Sequence, residues 1–306
     1  MKINYDFESA SCMLCGGVGL VYVNELRDDG NHWAAKCNHC GHVQVTPLPT
    51  IEEDELYYNN NEQLRKVYTK QELNDTQMMY RYEEFVFHEV DVVKQFVPPG
   101  SAVLEIGSGY GWLVEKLRDD GYAAHGIELS QDKCDMALNR SNTELHSINL
   151  LHESPPANFL EAFDAVCMFH VLEHITDPIG FLKSSVSFLK NRGNIIIEVP
   201  NFNAYMKKYS QGFNAFSYPR GHVSYFTPET LSYTLKAAGF KDIKVFGKQV
   251  YSVENAIHWA RNNVPFKSYF QFELPEGLEF LNAFFKKKME EDLTSDCLVC
   301  IATLDV

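Results

Sequence analysis

Cys12-x-x-Cys15-Gly16 and Cys37-x-x-Cys40-Gly41 place four thiols near the start of the chain, each pair trailed by a glycine. Two such pairs are the ligand pattern of a tetrahedral zinc site. A complete quartet leaves no open coordination position, so a Zn2+ ion here would be structural rather than catalytic. A glycine after each pair lets backbone amides turn toward the thiolates. His32, His39 and His42 stand close enough in sequence to replace a cysteine, but the quartet is complete without them. Two disulfides are the alternative, and nothing else in the sequence points to an oxidising compartment.

The second group is Val103-Leu104-Glu105-Ile106-Gly107-Ser108-Gly109-Tyr110-Gly111-Trp112. A short apolar run ends in glycines at alternate positions and is followed by an amphipathic run, the pattern of strand, tight turn and helix. That unit opens a doubly wound α/β fold, with its ligand at the carboxyl end of the strand. Glu128 closes the next apolar run, about twenty residues on, where an acid holds ribose hydroxyls. Nicotinamide and adenosyl cofactors both fit so far. Glu105 separates them: an acid leading into the turn repels a pyrophosphate but attracts an ammonium or sulfonium group. His170, His174 and His222 fall near the carboxyl edge, and histidine suits proton removal near neutral pH.

Glu105-x-Gly107-x-Gly109-x-Gly111, Glu128 and the run Phe163 to His174 resemble the class I S-adenosylmethionine-dependent methyltransferases, over roughly residues 97–306. The resemblance implies a Rossmann-like sheet of seven mainly parallel strands whose last strand is antiparallel. It implies that Glu105, Gly107, Ser108, Gly109 and Gly111 cradle the methionine part of S-adenosylmethionine. Glu128 would hold the ribose, Leu129 beside it would join the cofactor site, Asn149 or Leu150 would read the adenine edge, and His170 would face the sulfur. The run from His170 to His174 recurs in that family with many acceptors, which implies a part in shaping the cofactor pocket. A cysteine ribbon ahead of such a core is similar to methyltransferases of sugar and polysaccharide biosynthesis. His222-x-x-Tyr225-Phe226 looks like the base-bearing loop of their C-methyltransferases of nucleotide-linked keto-sugars. Two departures are visible. The extra C-terminal domain of those enzymes has no counterpart here, and Pro219 lies where they carry a tyrosine. The expected acceptor is therefore a hydroxyl of a sugar, nucleotide sugar or glycan, with His222 as general base and His170, His174 and Tyr225 as further catalytic candidates. Tyr218 and Arg220 join Tyr225 as acceptor-lining candidates. C-methylation, or an NAD(P)-dependent oxidoreductase on the same fold, are the alternatives.

The elements that must position these groups follow from patterning. Residues 1–50 read as a small zinc ribbon, with strands at 20–23, 32–36 and 43–45 around the turn Asp28-Asp29-Gly30-Asn31. Thr50 caps a helix start rich in acids. Residues 51–97 read as a helical linker or lid, stopped by Pro98-Pro99-Gly100. From residue 98 strands and helices alternate, which demands a mainly parallel sheet with right-handed crossovers. Strands are expected at 144–147, 164–169, 194–199, 242–246 and 297–303. Helices are expected at 131–140, 178–190 and 228–238, the last capped by Thr227 and Gly239. Cys297-x-x-Cys300 lies on a strand, where residues three apart face opposite ways and cannot share a metal. Two insertions, about 200–227 and 250–277, are not needed by the sheet and read as a roof over the acceptor.

Composition narrows the classes. The chain has 306 residues, 45% hydrophobic and 22% charged, ordinary for a globular protein. No stretch approaches the roughly 18 apolar residues of a membrane span, and the first residues lack the apolar core of a signal peptide. A cytoplasmic location is the expectation. The formal charge of −14 disfavours a nucleic-acid partner; the resemblance implies a small-molecule or glycan substrate, and the oligomeric state is left open.

Overall fold

Apart from Glu105, Ala102–Ile106 (β4) is apolar on both sides, as a central strand covered on both faces must be. Alternate residues enter two different cores. Leu104 and Ile106 join one with Val166, Met168, Ile195 and Ile197, while Val103 joins the other with Ala165, Cys167 and Ile196. In the computed structural model, which describes residues 5–50, 53, 75–265 and 274–304, β4 lies inside a seven-stranded sheet. The other members are Ala123–Glu128 (β5), His146–Ser147 (β6), Phe163–Phe169 (β7), Leu189–Pro200 (β8), Lys241–Lys248 (β10) and Cys297–Thr303 (β11), in the order β10-β11-β8-β7-β4-β5-β6. β6, β5, β4, β7 and β8 run parallel; β11 is antiparallel to β8 and to β10. The expected Rossmann-like sheet is therefore present.

One face is covered by the helices Asp75–Phe96 (α1), Trp112–Asp119 (α2) and Gln131–Ser141 (α3). The other is covered by Pro178–Ser185 (α4) and Pro228–Ala238 (α7). Thr227 and Thr230 make a reciprocal capping box at the start of α7, and Gly239 ends it at φ 103°. α4 is shorter than its pattern suggested, because Val186–Phe188 tightens into a 3₁₀ turn and β8 begins at Leu189. β6 has two residues rather than four, and among the described residues it pairs with β5 alone, at the edge of the sheet.

The linker expectation changes in part. Val86, Val90, Val93 and Val97 recur at helical spacing and are buried with Leu113 and Leu117. The C-terminal half of α1 is thus a fixed layer of the sheet rather than a lid. Residues 51, 52 and 54–74 lie outside the described part; Thr50 and Glu53 make the reciprocal bonds of a helix start.

Leu20–Glu25 (β1), Trp33–Cys37 (β2) and Val43–Thr46 (β3) form the antiparallel ribbon. It does not stand alone. The first insertion folds as Met206–Tyr209 (α5), Gln211–Phe216 (α6) and Ser224–Tyr225 (β9), and β9 pairs with β3 to complete the ribbon sheet. The second insertion carries the helix Val253–Asn262 (α8), followed by Phe280–Glu291 (α9), which the sequence reading did not foresee. Among the described residues, no helix is long and apolar enough to cross a membrane.

Candidate active site

The glycine turn is held open by its own backbone. Gly107 has φ 80°, and a Cβ there would meet the Val171 side chain, so only glycine fits against the turn after β7. Glu128, 6% exposed at the end of β5, accepts a hydrogen bond from the Gly109 amide at 2.8 Å and another from the Ser130 amide at 3.0 Å. Lys133 Nζ stands 3.6 Å from the same carboxylate. Each carboxylate oxygen keeps lone-pair capacity beyond these bonds, as a group that binds two vicinal hydroxyls must. Glu105 is buried and its Oε2 has no partner among the described residues. Burial, and the neighbouring charge of Glu89, push its carboxyl well above the usual range. A buried acid with an orphaned oxygen is a receptor for a cation. Asn149 and Leu150 follow β6 at the same edge, and Leu129, 60% exposed, follows Glu128. These residues fit an adenosyl cofactor that carries an ammonium group, one that would supply a methyl on a positively charged sulfur.

The turn after β7 concentrates the histidines. His170 takes a left-handed φ of 56° and donates its backbone amide to the Glu198 carbonyl at 3.0 Å. Its Nδ1 lies 3.3 Å from Glu173 Oε1 and its Nε2 lies 3.4 Å from Glu198 Oε1. Burial opposes the charge on His170, but hydrogen bonds with Cys297, Glu173 and Glu198 outweigh it and hold the imidazolium well above the usual histidine range. Against the cost of burial, the His170 hydrogen bond draws Glu173 down to about 2, and bonds to His170 and His88 do the same for Glu198. His170 is therefore an ion-pair centre and a poor base. His88 Nε2 bonds Glu198 Oε2 at 2.6 Å. Burial lifts Glu89, on the same helix, to about 7. Burial also lifts the Cys297 thiol to about 12.

Four members of this network, His88, Glu89, Glu198 and Cys297, escaped the sequence reading. Glu198 left a trace, since it interrupts the apolar run Ile195 to Val199. Cys297 and Cys300 do face opposite ways: Cys300 lies in the core, while Cys297 reaches His170.

His174 and His222 meet across the edge, their ring centroids 4.9 Å apart at 82°. His174 Nδ1 donates to the Gly221 carbonyl at 2.6 Å, tying the roof to the turn. Burial, and then the charge of His174, depress His222 to about 3, so this half-buried ring is neutral at working pH. The other roof candidates are placed elsewhere. Tyr225 is 4% exposed, donates to the Pro219 carbonyl at 3.1 Å, and shares a core with Tyr218, Val43 and Val45. The Arg220 side chain is buried, and its backbone amide donates to Asp28 of the ribbon at 2.8 Å. Tyr218, Arg220 and Tyr225 thus fasten the ribbon to the roof rather than line an acceptor site. Aromatic residues in a polar insertion resembled a binding surface because the strand pairing that buries them is non-local.

The cysteine quartet converges. All four sulfurs lie within 4.8 Å of one another, with Cys12–Cys40 at 3.6 Å and Cys15–Cys37 at 3.7 Å. A tetrahedron with metal–sulfur bonds of about 2.3 Å has edges of about 3.8 Å. The amides of Leu14, Gly17 and His39 donate to the sulfurs of Cys12, Cys15 and Cys37 at 3.3–3.4 Å. Gly16 and Gly41 adopt φ 69° and 76° as each pair turns back. None of the neighbouring histidines enters the cluster: His32 bonds Asp29, His39 bonds the Val18 carbonyl, and His42 faces Ser224.

With this geometry in place, comparison with known proteins fixes the class. The profile of a family described as a methyltransferase domain matches residues 79–245, more than half of the chain, and the chain belongs to that family. A ubiquinone biosynthesis O-methyltransferase of Coxiella burnetii (strain RSA 331 / Henzerling II) is 23% identical over 181 residues, 56% of this chain and 76% of the relative. One from Vibrio campbellii (strain ATCC BAA-1116) is 27% identical over 113 residues, 36% of this chain and 47% of the relative. Among solved structures, Haemonchus contortus phosphoethanolamine N-methyltransferase 2, in complex with phosphomonomethylethanolamine and S-adenosylhomocysteine, superposes with a TM-score of 0.51 at 17% identity. That match covers 86% of this chain and 63% of the other. The protein is an S-adenosylmethionine-dependent methyltransferase, and the oxidoreductase alternative falls.

Proposed function

We propose that this methyltransferase acts on a hydroxyl of a sugar, nucleotide sugar or glycan. The observation that carries the hydroxyl is the His174–His222 pair. Neutral imidazole stands beside the cofactor edge, held there by the roof, where a hydroxyl acceptor must lose a proton as it is methylated. The O-methyl transfer named for the curated relatives supports the same atom type. The sugar class rests on the cysteine ribbon ahead of the core, the feature shared with sugar and polysaccharide methyltransferases. The chain's part in the reaction is to align acceptor oxygen and methyl carbon in line with the sulfur and to accept the proton. His222 takes that proton from the roof side; His170, already charged, fixes the turn. The ribbon quartet holds one structural zinc ion.

The test is transfer of isotopically labelled methyl from S-adenosylmethionine to a panel of nucleotide sugars, glycans and phenols, with NMR locating the label. Methylation of a sugar hydroxyl is expected. Methyl on carbon would return the C-methyltransferase alternative, and turnover with phenols alone would remove the sugar.

Two predictions concern the cofactor. Glu128→Ala should weaken S-adenosylhomocysteine at least about tenfold, because each hydrogen bond to a charged group contributes about 1.5–3 kcal/mol. Calorimetry giving an unchanged Kd would remove Glu128 from the ribose site. The second is a pH effect. Burial favours the protonated form of Glu105 in the free protein, whereas pairing with the cofactor's ammonium group favours the ionised form, so binding is expected to release a proton. Affinity should therefore rise with pH above the ordinary carboxylate range and level off once free Glu105 is ionised. Glu105→Gln should bind more weakly and with a flatter pH profile. Calorimetry in buffers of different ionisation enthalpy reads the proton directly, and none released would refute the pairing.

A further inference from the structure

Glu173, His174 and His222 each offer one donor atom, and these atoms lie within 4.8 Å of one another. Glu173 is 1% exposed; its Oε1 bonds His170, and its Oε2 has no partner among the described residues. His174 bonds the Gly221 carbonyl through Nδ1, which must carry the hydrogen, and so keeps the lone pair on Nε2. Two imidazoles and a carboxylate are the donor set of open divalent transition-metal sites, in which three protein ligands leave positions for substrate. Each of Glu173 and His174 is backed as such ligands are, the carboxylate by His170 and the imidazole by a backbone carbonyl. The Gly107–Val171 contact places this turn against the cofactor's glycine loop, where an acceptor oxygen must approach.

We propose that Glu173, His174 and His222 bind a divalent transition-metal ion, separate from the cysteine quartet, whose open positions take the acceptor hydroxyl. The proposal rests on the hydroxyl-acceptor reading above. With the ion in place, the bound hydroxyl ionises and releases its proton to water, and His222 serves as a ligand. An oxygen lone pair then forms the bond to the methyl carbon. The carbon–sulfur bond breaks with its electron pair remaining on sulfur, and one proton is released per turnover.

The test uses the full chain with the cysteine quartet loaded with zinc and Co2+ as the probe. Wild-type protein is expected to take up a single further equivalent, with visible d–d bands and no thiolate-to-cobalt charge-transfer band. Glu173→Gln and His222→Asn should each weaken that equivalent by about 10–100-fold. Retained S-adenosylhomocysteine binding would show that both variants are folded. Chelating the second ion should slow methylation of a hydroxyl acceptor at least about tenfold, with recovery on adding Co2+ or Mn2+. No further equivalent in wild type, or one that leaves turnover unchanged, overturns the site. Hydroxyl turnover that persists without a second ion leaves His222 as a plain base. A second ion bound with no hydroxyl acceptor ever methylated overturns the acceptor reading instead.

Discussion

Cys37→Ser should abolish most methyl transfer while leaving S-adenosylhomocysteine binding nearly intact. Cys37 is 1% exposed, lies 3.7 Å from Cys15 across the cluster, and pairs with Leu20 at the end of β2. Structural zinc contributes on the order of 10 kcal/mol to a small ribbon, so losing one ligand should melt β1–β3. The damage reaches the roof, because β9 has β3 as its strand partner and the Val45 amide donates to the Val223 carbonyl at 2.9 Å. Tyr218 and Tyr225 would lose their buried packing, and the loop that carries His222 would lose its support. The cofactor pocket, built on β4 and β5, shares no strand with the ribbon. Hydrogen exchange should show loss of protection in 20–46 and 218–226 together. Protection lost in the ribbon alone, with turnover kept, would show that the roof stands without it. Metal analysis finding no zinc in protein prepared without chelator would remove the premise.

How far the site could be read from the sequence depended on the range of the interactions that build it. The glycine turn, Glu105, Glu128 and the cysteine quartet lie within short segments whose patterning is local, and the structure brings each set together. The acid in the apolar run of β4 was legible because a charge on a buried strand demands a reason. The same reasoning applied to Glu198 would have found the partner of His170 and His88. α1 was harder. Its valines mark a core face, but only the fold reveals that His88 and Glu89 then point at the end of β7. The pairing of β3 with β9 joins residues about 180 apart, and no periodicity carries that information. Tyr218, Arg220 and Tyr225 were misread for that reason.

His222→Asn should slow turnover by about 10²–10⁴-fold, because the ring serves proton removal either directly or by holding the ion that ionises the hydroxyl, and should leave cofactor affinity unchanged. The side chain comes from the roof and meets the turn after β7 at His174 and Glu173, so its loss does not touch Glu105, Glu128 or the glycines. The depressed value of about 3 sets the pH behaviour. Between about 3 and the ordinary histidine range near 6.5, folded His222 stays neutral while the unfolded chain binds the proton. The lone pair is therefore available throughout neutral pH, and wild-type turnover should show no inflection from His222 near 6.5. The same difference costs stability as pH falls from about 6.5 toward 3, because the unfolded state gains the proton first. His222→Asn should relieve that loss, raising Tm relative to wild type at pH 4–5 more than at pH 7–8. His170→Asn should behave in the opposite way. It removes the imidazolium between Glu173 and Glu198, leaves two buried carboxylates facing each other, and should lower stability throughout the pH range in which His170 is charged. If His222→Asn keeps most activity while His174→Asn loses it with cofactor affinity unchanged, proton removal belongs to the turn after β7 and not to the roof.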